Sequence, residues 1–231
     1  MSHAPLSVSH NAYTSNPKDS SVFTPKGVAQ FIADISLPYL EEMQAYHKFI
    51  ILDPACGSGR LLAPFQNNLL NLPITTIGID PVNHPKDVEI NGYSQSSFFS
   101  SDVEDLFPIE HLAMIICNPP FNNNMAMGES FLSEYGKKTL IPFAFLDRMR
   151  KLYGNNTPIV LMVPMGFRLN QKVKSARWKS LRDASVQITS ILSLPLDIYP
   201  NVEFHNEVLF FNMPMLEPHY FLPDEYINYD V

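Results

Sequence analysis

A doubly wound α/β fold with a mostly parallel sheet is what this sequence predicts, and three observations carry it. Short apolar runs alternate with helical or looped stretches along most of the chain. A glycine-rich turn, Gly57-Ser58-Gly59, joins the first of these runs to a helix-like segment. Acidic residues stand just after successive runs, at the strand ends where open α/β sheets bind ligands. The 231 residues suit one α/β domain of full size, and an apolar content of 45% is enough to bury a core.

The elements follow in order. Residues 1–20 are rich in Ser, Asn, His and Pro and are expected as a flexible arm. A helix is expected from Pro25, with Thr24 as its cap, because Val28, Phe31, Ile32 and Ile35 recur at helical spacing. Seven strands are expected: Phe49–Leu52, Thr75–Ile79, the weaker run Ser97–Phe99, Met114–Cys117, Ile159–Val163, Ile188–Leu194 and Val208–Phe211. Helices fit Leu61–Leu72, Pro142–Tyr153 and Lys172–Ala184. Only a loop, Pro195 to Glu207, joins the last two strands, so the sheet should end in an antiparallel hairpin. The folded domain is placed at residues 21–214, with 215–231 as a C-terminal tail.

Composition excludes some classes. No apolar run reaches 18 residues, and residues 1–20 lack an apolar signal segment, so neither a membrane span nor a membrane partner is expected. Cys56 and Cys117 lie in apolar contexts and read as buried thiols of a cytosolic protein. The histidines are scattered, and no metal site is expected. Net charge is −7, which by itself argues against a polyanionic partner. Its distribution argues the other way. Between Lys137 and Arg182 stand eleven basic residues and one acid, while the rest of the chain holds five and twenty-two. A localised basic face is what phosphate binding needs, and two ordinary solvated helices would look the same.

The first strand runs into Asp53-Pro54-Ala55-Cys56-Gly57-Ser58-Gly59. Its two glycines allow a sharp turn and close approach of a ligand to the backbone. The spacing is not that of a dinucleotide fingerprint, and the Lys of a phosphate loop is missing. A carboxylate at this strand end, Asp53, suits a cationic head such as an amino-acid ammonium. Asp80, followed by Pro81, ends the second strand about twenty residues past the glycine loop, where an acid can bind ribose hydroxyls. Asp102, followed by Val103, could accept a hydrogen bond from an adenine amino group. Together the three acids fit a nucleoside bearing an amino acid.

After the fourth strand comes Asn118-Pro119-Pro120-Phe121. Two prolines fix φ twice, remove two backbone donors and push the preceding residues to extended conformations. The resulting stiff loop suits an amino group that must donate two hydrogen bonds, to the Asn118 side-chain oxygen and the Pro119 carbonyl. Phe121 offers a flat face for a planar substrate.

These motifs resemble the amino-methyltransferases, above all the N6-adenine DNA methyltransferases. Phe23-Thr24-Pro25, then the glycine loop, then Asn-Pro-Pro-Phe is the order seen in gamma-type enzymes and type I modification subunits. The resemblance implies a Rossmann-like methyltransferase domain, S-adenosyl-L-methionine as cofactor, and a place in DNA restriction-modification in a bacterial or phage-encoded cytoplasmic protein. It places Phe23, Thr24, Pro25, Asp53, Pro54, Ala55, Cys56, Gly57 and Gly59 around the methionine part. Asp80 with Pro81 would bind the ribose, and Asp102 with Val103 the adenine. Asn118, Pro119, Pro120 and Phe121 would hold the target base, which must be flipped out of a duplex for direct in-line methyl transfer.

The family's separate DNA-reading domain finds no counterpart in the chain. Recognition is therefore expected from Arg168, Lys172, Lys174, Arg177, Lys179 and Arg182, or from a specificity subunit or a second copy of the chain. Phe204 or Tyr199 could supply a second stacking aromatic; either could equally fill the core. The same tetrapeptide serves enzymes acting on adenine N6 or guanine N2 of RNA and on protein glutamine, and a non-catalytic subunit of a modification complex stays open.

Overall fold

The computed structural model describes residues 23–66, 72–83, 88–103, 105–121, 127–169, 172, 174–175, 179, 182, 187–199 and 205–227. Eight strands form one sheet: β1 (Ile50–Asp53), β2 (Thr75–Ile79), β3 (Gly92–Ser94), β4 (Leu112–Cys117), β5 (Ile159–Pro164), β6 (Ile188–Ser193), β7 (Asn206–Phe211) and β8 (His219–Phe221). Their order is β3-β2-β1-β4-β5-β7-β6-β8. β1 pairs in parallel with both β2 and β4, so the winding direction reverses between β1 and β4. The carboxyl ends of those two strands flank the switch point, where doubly wound sheets open a crevice for ligands. β7 inserts between β5 and β6, antiparallel to both, which is the expected hairpin.

Strand chemistry explains the layering. β4 is buried at every position and β5 at all but its last, as strands covered on both faces must be. Alternate residues feed two cores. Ile51, Met114, Ile116, Val160 and Met162 pack under α1 (Lys26–Gln44) and the short α2 (Ala63–Gln66). Leu52, Ile115, Cys117, Leu161 and Val163 face the layer of α3 (Glu129–Tyr135) and α4 (Ile141–Tyr153). A single turn, α5 (Gly166–Leu169), follows β5. Among the described residues, no helix is long and apolar enough to cross a membrane.

The structure corrects several expectations. The sheet has eight strands, not seven. Ser97–Phe99 is a turn: Phe98 and Phe99 both enter the α4-side core, their rings 5.8 Å apart, whereas consecutive strand residues would point to opposite faces. The strand beside β2 is instead Gly92–Ser94, which is only partly buried and carries no apolar run. The helix expected over Leu61–Leu72 is reduced to Ala63–Gln66 where described, with 67–71 outside the described residues. The arm at 1–20 also lies outside them, as do most positions of the Lys172–Ala184 helix, of which Lys179 and Arg182 are helical.

Residues 215–227, expected as a tail, belong to the packed fold. β8 pairs in parallel with β6, and α6 (Asp224–Ile227) packs on α1. The Tyr226 ring meets Phe31 edge-on at 4.9 Å, and its hydroxyl donates to Asp34 at 2.7 Å. Arg148 on α4 performs a similar internal duty. Its guanidinium donates to the carbonyls of Phe98 at 2.6 Å and Ser100 at 2.8 Å, fixing the loop that carries Asp102. Tyr226→Ala removes a half-buried ring and a hydrogen bond to a carboxylate, so urea unfolding should show a loss of about 2 kcal/mol. An unchanged midpoint would show that α6 does not brace α1.

Candidate functional site

The switch point builds the site from four chain segments. β1 delivers Asp53, only 1% exposed, and its Oδ1 accepts the backbone N–H of Ala55 at 3.0 Å, which starts the turn. Gly57 and Gly59 then take φ of +51° and +89°, values that disfavour any residue with a Cβ. A Cβ on Gly57 would also stand 3.0 Å from the Phe23 ring. Phe23 therefore lies directly on the glycine loop, with the Arg60 guanidinium 5.7 Å from its ring centre. Asp80, at the end of β2, accepts the Gly57 N–H at 2.9 Å and the Val82 N–H at 2.8 Å. The second strand-end carboxylate thus anchors the loop that follows the first strand.

The third segment is Asn118 with its two prolines. Asn118 is half-buried and shares a cleft of about 260 Å³ with Phe23, Thr24, Asp53, Ala55, Cys56 and Gly57. The cleft is open to solvent, and Ser58, Arg60 and Leu61 complete its lining. Thr24 is not a helix cap, because Pro25 itself is the N-cap of α1 and no side chain caps the helix. Its hydroxyl donates to the Met162 sulfur at 3.5 Å and accepts the Asn118 side-chain N–H at 3.1 Å.

Other expected site residues stand as follows. Pro25, Pro54 and Pro119 are buried; Pro81 is exposed, and Pro120 and Phe121 are half-buried, with Phe121 packed against the α1-side core. Asp102 is exposed on a 3-10 turn, Ser101–Val103, and accepts from the Ser101 hydroxyl at 3.2 Å. Val103 is a core residue, 1% exposed, in the same cluster as Phe98 and Phe99. The Cys117 thiol is pushed up by burial first and then by neighbouring Asp53, which holds it protonated and unsuited to nucleophilic attack.

The basic residues divide into two groups. Arg168 makes a two-point ion pair with Glu207, at 3.1 and 2.9 Å, and Glu207 is 3% exposed. That pairing raises the guanidinium pKa further, and it corrects the expectation that Arg168 meets phosphate. Lys151 bridges Glu134 at 2.7 Å and Asp147 at 2.8 Å, so α4 contributes less free charge than a count implies. Lys172, Lys174, Lys179 and Arg182 are exposed. Arg177 and Phe204 lie outside the described residues. Tyr199 is buried, and its hydroxyl accepts from Asn206 at 2.9 Å, so it is a core residue and not a stacking platform. The sequence had pointed to neither Met162 nor Arg148, since a buried Met and one Arg among many carry no local signal.

Residues 7–92 match the family model described as N-6 DNA Methylase. A modification subunit assigned to a type I restriction enzyme of Vibrio vulnificus superposes with a TM-score of 0.59 at 18% identity, covering 88% of this chain and 46% of that one. A protein of Listeria monocytogenes assigned to the class I S-adenosylmethionine-dependent methyltransferases gives 0.62 at 15% identity, over 93% of this chain and 71% of that one. The type IIG restriction endonuclease BpuSI gives 0.54 at 17% identity, over 84% of this chain and 26% of its own. This chain thus spans less than half of the type I subunit and about a quarter of BpuSI. No curated protein matches it. Through residues 7–92 the chain matches the N-6 DNA Methylase family, and the sheet into which it folds is that of the S-adenosylmethionine-dependent methyltransferases.

Proposed function

We propose that this chain is an S-adenosylmethionine-dependent methyltransferase that modifies the N6 amino group of adenine in DNA. One observation carries the reading: the glycine loop with Asp53 and the proline-stiffened Asn118 line a single cleft. A cofactor-binding turn and an acceptor for an exocyclic amino group are thereby neighbours. The family match over residues 7–92 and the type I and type IIG structures of like fold support DNA as the substrate and a restriction-modification setting.

The donor set fits the cofactor. Asp53 presents a buried carboxylate suited to the ammonium of a methionine moiety. Gly57 keeps side-chain bulk out of the loop beside it. Asp80 offers a strand-end carboxylate beside the same loop, suited to ribose hydroxyls. Asp102, exposed on the turn that Arg148 secures, would receive an adenine amino group. When bound, the cofactor supplies a methyl group already activated by its sulfonium.

The chain's own contribution is positioning. Asn118 and the Pro119 carbonyl accept the two protons of the target amino group and stabilise the positive charge that grows on its nitrogen. Phe121 offers the flipped base a flat neighbour. Lys172, Lys174, Lys179 and Arg182 supply exposed positive charge for phosphates. A separate specificity subunit or a second copy of the chain would complete sequence recognition.

Three outcomes test this. Labelled methyl transfer to unmethylated DNA, with nucleoside mass analysis, should yield N6-methyladenine. Label in guanine N2, in RNA alone or in protein glutamine would overturn the substrate assignment. Asn118→Ala should lower the rate about a hundredfold or more while cofactor affinity stays near wild type. Asp53→Ala should do the reverse, weakening cofactor binding by calorimetry about tenfold or more.

The two groups of basic residues should separate cleanly. Neutralising Lys172 and Lys174 should reduce the slope of log K against log salt by about 2. Arg168→Ala should leave that slope unchanged and cost about 3 kcal/mol of stability, because it strands the Glu207 carboxylate. A changed slope in Arg168→Ala would place that residue at the phosphate backbone after all.

A further inference from the structure

We propose that Thr24 is a positioning residue: it fixes which end of the Asn118 amide faces the cleft. The inference rests on the proposed role of Asn118 as the acceptor for the target amino group. Three atoms carry it. The Thr24 hydroxyl lies 3.5 Å from the Met162 sulfur and 3.1 Å from the Asn118 side-chain nitrogen. Thr24 is 3% exposed and Met162 1% exposed, so water does not compete for the bond between them.

The direction of the relay follows from chemistry. A thioether sulfur has no proton and can only accept. The single hydroxyl proton of Thr24 therefore goes to Met162, and the hydroxyl oxygen is left as an acceptor on its other side. An acceptor there selects the NH2 end of the Asn118 amide over the carbonyl end. Oδ1 is then the end of the amide not bonded to Thr24, on a residue that lines the cleft. With the ends exchanged, Asn118 would present donors to an amino group that itself donates two protons. The two orientations have nearly the same shape, so packing alone discriminates poorly between them.

The placement also explains why Phe23 and Thr24 stand together. Phe23 lies on the glycine loop while its neighbour sets Asn118, so one dipeptide touches the cofactor side and the target side at once. Resemblance alone assigns Thr24 to the methionine end of the cofactor. The hydrogen bonds instead give its hydroxyl to the base-binding loop and β5.

The test uses Thr24→Val, which keeps the shape and removes the hydroxyl, Thr24→Ser, which restores it, and Met162→Leu, which removes the sulfur acceptor. In the ligand-free protein, the Asn118 side-chain 15N–H pair, identified by its absence from Asn118→Asp, should shift or exchange-broaden in Thr24→Val. It should remain in place in Thr24→Ser and shift in Met162→Leu. Single-turnover methyl transfer at saturating cofactor should fall about tenfold or more in Thr24→Val and less in Met162→Leu. Thr24→Ser should recover it to within about threefold, with cofactor affinity within about twofold throughout. An unmoved amide signal in both Thr24→Val and Met162→Leu would overturn the proposal. So would a Thr24→Val variant that loses cofactor affinity but keeps its rate. If the wild-type chain methylates no substrate, the proposed function fails, and the amide signal still decides whether Thr24 orients Asn118.

Discussion

The parallel pairing of β1 with β4 is the constraint on which the rest of the structure depends. Strand order reverses there, so the crossovers from the two strands leave in opposite directions and the space above their carboxyl ends is not roofed by a helix. Asp53 closes β1 and Asn118 follows β4, and the pairing sets these two ends side by side. A third segment, Phe23 and Thr24 at the start of α1, closes one wall of the cleft. Each segment is then fixed by a polar contact out of full solvent: Asp80 on Gly57, Asp53 on Ala55, Thr24 on Asn118. Burial makes such contacts directional, because a misplaced partner would leave an acceptor or donor without water.

Charge in this chain does more internal work than its sequence suggests. Arg168 and Glu207 form a two-point pair at the carboxyl edge of the sheet, and Arg148 holds two carbonyls of the loop that leads to Asp102. Both arginines fall within the stretch that reads as one basic block. The planar guanidinium explains the choice: it can satisfy two acceptors at once, which a lysine ammonium cannot do with the same geometry. The exposed charge suited to phosphate is therefore concentrated further along, at Lys172, Lys174, Lys179 and Arg182.

Much of the architecture was legible because the core strands carry their own signal. Ile50–Asp53, Thr75–Ile79 and Leu112–Cys117 are apolar runs closed by a residue with a visible task, and the glycine loop follows from residue types alone. The strands that escaped, Gly92–Ser94 and His219–Phe221, lie at the sheet's two edges, where partial exposure removes the apolar pattern. Phe98 and Phe99 misled for the converse reason: two adjacent aromatics read as strand, but tertiary packing drew both into one core. At the site, Asp53, Gly57 and Asn118 were legible as local motifs, while the Thr24 contact was not. Its partner lies 94 positions away, and a Thr before a Pro and a helix reads most simply as a cap.

In the proposed function the glycine loop and the Asn118 loop share one site, and a crystal structure with sinefungin tests that union most directly. Sinefungin carries an amine where the cofactor carries its methyl sulfonium. It should bind across the cleft with its amino-acid ammonium on Asp53, its ribose near Asp80, and its amine directed at the Asn118 side-chain oxygen. A complex in which the analogue sits elsewhere on the chain, or lies in the glycine loop with its amine pointing away from Asn118, would contradict the account.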